Sequence, residues 1–134
     1  MNEQTNTKLV QKAYAAFGSG DVSGLLHLIA SDVVWHFPQC TGIPWAGTFR
    51  RHEGVVQFLG SLAKTADIEN FDPSHFFAQG DRVVVLGHER LRIKSTQRSC
   101  EIDWAHSFIL RGGVIAEFRE YTDTAVIAGA FDPT

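Results

Sequence analysis

The feature that most constrains this chain is a change of hydrophobic period near its middle. Before it, apolar residues recur at helical spacing: Leu9, Val10, Ala13, Tyr14 and Phe17 form one stripe, and Val55, Phe58, Leu59 and Leu62 another. After it, apolar and polar residues alternate, as they do in strands that bury one face. Helices are therefore expected over residues 5–17 and 52–64. Gly18 and Gly20 end the first, and Asp21 is a good N-cap for a short second helix carrying Leu25, Leu26 and Ile29. Residues 33–37 (VVWHF) read as an early strand closed by Pro38, and residues 39–48 as a loop holding Trp45.

The second half divides at its turn residues. Residues 68–79 form a strand that Pro73 bends or confines to an edge, and Gly80-Asp81 makes a two-residue turn into residues 82–94. Thr96-Gln97 leads into 99–110, and Gly112-Gly113 into a last strand, 114–123. Residues 125–131 are either a short helix or a tail. The resulting architecture is α+β: a cone-shaped, curved, mostly antiparallel sheet with three N-terminal helices packed on its concave face. At 134 residues, with no repeat or linker, the whole chain 1–134 is expected to be a single domain.

Composition narrows the partners. A formal charge of −3, with basic runs no longer than Arg50-Arg51 and the interrupted stretch 90–94, argues against nucleic acid. No apolar run approaches the roughly 18 residues of a membrane span. Cys40 and Cys100 form no CxxC pair and have no metal-ligand spacing. A reduced, cytoplasmic chain without metal or cofactor is the expectation. Ten Phe, three Trp and two Tyr are an aromatic surplus, which lines cavities as readily as it fills cores.

Register converts these strands into faces. Two-residue turns set Phe76 opposite Val85, Glu89 opposite Trp104, Gly87 opposite His106, His106 opposite Arg119, and Trp104 opposite Tyr121. One face then collects Phe76, Val83, Val85, Glu89, Trp104, His106, Phe108, Arg119, Tyr121 and Asp123, whereas His88 points away. A shift of one residue in the last hairpin would bring Phe118 and Glu120 inward instead. Charges on a face that meets helices are tolerated only when paired or functional. A carboxylate in an apolar cavity has a raised pKa, and an imidazole beside it can carry a second proton. Asp123 and His106 are the first candidates for such a pair. The competing reading is a structural network in which Arg119 neutralises Asp123 and Glu89. Trp35, Phe37, Trp45, Phe58, Glu89, Trp104, Arg119 and Tyr121 are candidate pocket residues, and Tyr14 and Tyr121 candidate hydroxyl donors.

Phe17-Gly18-Ser19-Gly20-Asp21, Trp45-Ala46-Gly47 and Phe118-Arg119-Glu120-Tyr121-Thr122-Asp123 carry a resemblance. Through them the chain, from Lys8 to Ala128, resembles the nuclear transport factor 2-like superfamily. Within it the likeness is to the SnoaL-like branch of polyketide cyclases and ketosteroid isomerase relatives. The resemblance implies a conical barrel with a deep apolar cavity, a homodimer formed through the outer sheet face, and Asp123 as the cavity acid. The chain departs from two family layouts. The ketosteroid isomerase base and tyrosine would fall near Phe37 and Ala13, and the epoxide-hydrolase Arg-x-Asp would fall on Arg90-Leu91-Arg92. The expected function is a cofactor-free acid–base isomerase, cyclase or dehydratase acting on a small apolar carbonyl compound. The alternative is a non-catalytic module that binds a small molecule or dimerises.

Overall fold

A computed structural model describes residues 2–133. In chain order its elements are α1 (Glu3–Gly18), α2 (Val22–His27), β1 (Ile29–Phe37), β2 (Gly47–Arg50) and α3 (Arg51–Thr65). They are followed by β3 (Ala66–Gln79), β4 (Arg82–Ile93), β5 (Ser99–Arg111), β6 (Val114–Thr122) and α4 (Thr124–Ala130). The six strands form one curved, unclosed sheet in the order β2-β1-β6-β5-β4-β3. Every neighbouring pair is antiparallel except β1 and β6, which run parallel.

The helices begin where the sequence supplies caps. The Asn2 side chain accepts the Thr5 N–H and the Asp21 side chain accepts the Gly24 N–H, each satisfying a donor that the helix leaves open. Gly20, at φ 72°, makes the left-handed turn between α1 and α2. α1 packs against β3 and β4, α3 against β1 and β2, and α4 against β5. Val10, Ala13, Val55 and Phe58 are thereby buried in one hydrophobic core with Val83, Val85 and Phe108 of the sheet. The expected loop 39–48 gives way at its end to β2, which pairs with β1 through Phe37 and Gly47. The open choice over residues 125–131 resolves as a helix, with Asp123 as its cap.

Register decides which side chains enter the cone. The β3–β4 pairing has Phe76 opposite Val85 and Ala78 opposite Val83, as the Gly80-Asp81 turn requires. Pro73 is accommodated at a register irregularity in this edge strand. Between β4 and β5 the turn is longer than Thr96-Gln97: Ile93 and Arg98 hydrogen-bond across it, and Gln97 takes φ 61°. Gly87 therefore faces Trp104, and Val85 faces His106, a slip of two residues from the expected pairing. An even slip keeps every side chain on its face, so Glu89, Trp104 and His106 stay inside.

The last hairpin differs by an odd number. Arg111 pairs Val114 and Leu110 pairs Ile115, but Ile109 then pairs Glu117. This β-bulge inserts one extra residue into β6 and exchanges its faces beyond that point. Ile115, Phe118 and Glu120 are buried, while Arg119 and Tyr121 turn to the outer face. The placement of Asp123, Arg119 and Tyr121 inside the cone is thus corrected: the hairpin turn is as expected, but the bulge behind it reverses the strand.

Candidate active site

Three strands and one helix bring polar groups into an aromatic cavity. β5 supplies His106, β6 Glu120, β4 Glu89, and α1 Tyr14 from the facing layer. Tyr14 Oη lies 2.8 Å from His106 Nδ1, and His106 Nε2 lies 3.0 Å from Glu120 Oε1. These contacts form a hydrogen-bonded chain from a helix to the sheet's interior. Glu120 Oε2 is buried with no hydrogen-bond partner among the described residues. Glu89 lines the same cavity from the neighbouring strand.

Burial sets the protonation states. Glu120 is pushed up to about 8 by loss of hydration. Glu89 is pushed up to about 8, first by burial and then by the charge of Glu120. The same desolvation holds His106 well below its usual range, and burial followed by the Glu120 charge raises Tyr14. The His106–Glu120 separation is that of an ion pair, but both groups are driven towards their uncharged forms. The contact is then a hydrogen bond between neutral groups near pH 7.

A neutral imidazole donates from one nitrogen and accepts at the other, so the chain runs in either direction. With Glu120 protonated, its O–H donates to Nε2 and Nδ1–H donates to Tyr14 Oη. With Glu120 ionised, Nε2–H donates to the carboxylate and Tyr14 O–H donates to Nδ1. The two states differ by one proton, which is taken up at Glu120 and given off from the hydroxyl of Tyr14, or the reverse, as each hydrogen bond in the chain changes direction without displacing a heavy atom.

The walls position this chain. The Trp104 indole stacks on the His106 ring at 3.8 Å and 13°, and Phe71 stacks on Trp104 at 5.1 Å. Gly87 makes room for it: a Cβ there would meet the indole at 2.2 Å and the Asp72 carbonyl oxygen at 2.7 Å. Trp35 stacks on Phe118 at 4.1 Å, across the parallel β1–β6 pair that aligns them. Phe37 meets Trp45 edge-on, and Phe58 closes against Trp35 and Phe37. The cavity enclosed is small, about 60 Å³. A larger open groove of about 940 Å³ adjoins it between α1–α2, the end of α3, and β3.

Of the residues singled out in the sequence, Trp35, Phe37, Trp45, Phe58, Glu89 and His106 line the cavity. Trp104 lies behind His106 rather than on the wall. Asp123 is exposed, and its carboxylate accepts the Val126 N–H as the cap of α4. Arg119 sits 3.8 Å from Glu117 on the outer side, and Tyr121 is largely exposed. Glu120 takes the interior place expected of Asp123. Its signal was present: Ile115 and Phe118 are both apolar yet three apart, a spacing that no unbroken strand puts on one face. Phe71, Leu62 and Ile127 were not singled out as wall residues: Leu62 was legible only as part of a core stripe, and the packing of β3 and α4 over the cone's interior, which no local pattern encodes, brings in the other two.

A family model for the SnoaL-like domain matches residues 10–118. The chain belongs to the SnoaL-like family. An NTF2-like protein from Burkholderia xenovorans LB400 is 37% identical over 98% of this chain and 99% of its own, with a TM-score of 0.90. TerC, crystallised with polyporic acid, is 27% identical over 95% of this chain and 98% of TerC, with a TM-score of 0.86. An uncharacterised protein of Mycobacterium tuberculosis H37Rv is 36% identical over 67 residues. That match covers 50% of each, so the chain spans about half the length of the curated relatives it matches. No helix among the described residues is long and apolar enough to cross a membrane.

Proposed function

We propose that this SnoaL-like protein is a cofactor-free acid–base enzyme acting on a small apolar carbonyl compound, as an isomerase, cyclase or dehydratase. The observation that carries the reading is the Tyr14–His106–Glu120 chain, ending in an unpartnered carboxyl oxygen inside an aromatic cavity. Glu120 takes the acid–base role, His106 relays, and Glu89 or Tyr14 donates to the carbonyl oxygen. In the proton-abstraction step the Glu120 carboxylate takes a proton from the carbon next to the carbonyl. The C–H electron pair becomes the enol double bond, and the carbonyl oxygen accepts a proton from its donor. A carboxyl with a pKa of about 8 is roughly one-tenth ionised at pH 7 and is a far stronger base than an exposed glutamate. The similarity to TerC, which was crystallised with polyporic acid, supports a small-molecule ligand.

A binding-only module is favoured less, because it calls for interior charges that are fully paired, and Glu120 Oε2 has no partner. In this reading the chain works as a single domain in the cytoplasm. It forms a homodimer through the outer sheet face, where Phe77, Leu86 and Tyr121 are exposed. The test is exchange of the α-protons of 4-phenylbutan-2-one in deuterated buffer, followed by NMR. The expected outcome is catalysed exchange that falls by about two to four orders of magnitude in Glu120→Gln. Equal exchange by wild type and variant would remove Glu120 from the chemistry.

A further inference from the structure

The inner cavity and the outer groove differ in size by more than an order of magnitude, yet they share a wall. Tyr14, Phe17, Leu25, Leu62 and Phe71 line both. The neck between them is aromatic: the Phe17 and Phe71 rings meet at 5.2 Å, and Tyr14 lies 5.8 Å from Phe71. An apolar cavity of about 150 Å³ takes a single benzene ring. The inner cavity, at about 60 Å³, holds less than half of that. A whole ring does not fit beside Glu120 as the walls stand, whereas the groove, at about 940 Å³, is of the size that accepts whole ligands.

The groove's chemistry points to an apolar occupant. Its lining includes Val22, Leu59, Ala63 and Ile68, and Val22 and Ile68 are exposed to solvent at its rim. Its acids are already engaged. Asp67 pairs with Arg92 at 2.8 Å, Glu69 with Arg90 at 3.1 Å, and Asp21 caps α2. The lining thus offers apolar area and little unpaired charge, and it leads directly to the neck.

We infer that the substrate is a two-lobed molecule. A small oxygen-bearing head passes the Phe17–Phe71 neck to reach Glu120, and a second, apolar lobe of ring size stays in the groove between α1–α2 and β3. This rests on the reading that the inner cavity holds the reacting group, and it makes the groove the part that selects among substrates. Ala63, exposed on α3, is the natural place to fill the groove without touching the inner cavity.

The experiment compares two probes by calorimetry, acetone and 4-phenylbutan-2-one, on wild type, Ala63→Trp, Val22→Asp and Glu120→Gln. The expected result is 4-phenylbutan-2-one binding about tenfold or more tighter than acetone to wild type. That advantage disappears in Ala63→Trp and shrinks in Val22→Asp, while acetone affinity stays unchanged in both. Equal affinity for the two probes, or an advantage that survives both groove variants, overturns the two-lobed inference. Glu120→Gln separates the underlying reading, because it should weaken both probes by the same factor. If it weakens neither while the groove variants behave as expected, the groove binds but Glu120 does not hold the head. Failure of both probes to bind wild type overturns both ideas.

Discussion

Two histidines on opposite faces of the sheet contact carboxylates at nearly equal distances. Inside, His106 and Glu120 are 3.0 Å apart across β5 and β6. Outside, His88 lies 2.9 Å from Asp103 and 3.1 Å from Glu101 across β4 and β5. The inner pair is desolvated, so the imidazole is held below its usual range and the carboxyl is raised. The outer imidazole keeps its water, and the hydrogen bonds to Asp103 and then Glu101 raise it above its usual range. The same two side-chain types thus favour a neutral pair on one face and an ionised one on the other. Geometry alone does not define an ion pair; the solvent around it completes the definition.

Removing the inner partner should have the larger effect. His106→Ala takes away a buried ring stacked on Trp104 and strands both Tyr14 and Glu120, and should cost about 3 kcal/mol in urea unfolding. Next comes a substitution that disturbs the inner pair without touching it. Gly87→Ala places a Cβ against Trp104 and the Asp72 carbonyl, and should cost about 1–3 kcal/mol while shifting the indole off His106. Quenching of tryptophan fluorescence by acrylamide would report that shift as increased access.

The pH dependence of stability sharpens the contrast further. Glu120 and Glu89 hold their protons to about 8 in the folded chain, against an ordinary value of 4.5. Across that window the unfolded chain has released protons that the folded chain keeps, so stability falls as pH rises. Below 6.5 His106 acts in the opposite sense, because only the unfolded chain takes up its proton. The fall should be steepest between pH 6.5 and 8, where the carboxyls act unopposed, and Glu120→Gln should flatten it in thermal melts. His88 contributes stability below its unfolded value of 6.5 and loses it as pH rises through its raised folded value. Being solvated and partly exposed, it should matter least: His88→Ala should leave the unfolding midpoint unchanged within error. An NMR titration should show His88 protonating with a midpoint above 6.5 while His106 stays uncharged over the same range.

Sequence pattern exposes some levels of this molecule and hides others. The helical stripe through Val10 and Ala13 and the Gly80-Asp81 hairpin followed directly from spacing and turn chemistry. Glu89 and His106 stayed on the inner face although the β4–β5 turn was longer than expected, because a slip of two preserves sidedness. The interior carboxylate did not survive, because one extra residue at Ala116–Glu117 inverts everything after it. The alternative with Phe118 and Glu120 inward was open from the sequence, and only the bulge chose it. Tyr14 was visible as part of a core stripe, but its partner His106 is 92 residues away. No local pattern encodes that meeting.

The same bulge bears on how such a scaffold changes its trade. Were the same residues paired without it, β6 would alternate plainly, Phe118 and Glu120 would leave the interior, and Arg119 and Tyr121 would take their places. Loss of the Ala116 codon would instead remove the extra residue and keep Phe118 and Glu120 inside on a straight strand. A residue gained or lost beyond the bulge would turn over every side chain that follows it, which no point substitution does. Small insertions and deletions late in the final strand are thus the abrupt route to new chemistry, and replacements along the walls the gradual one.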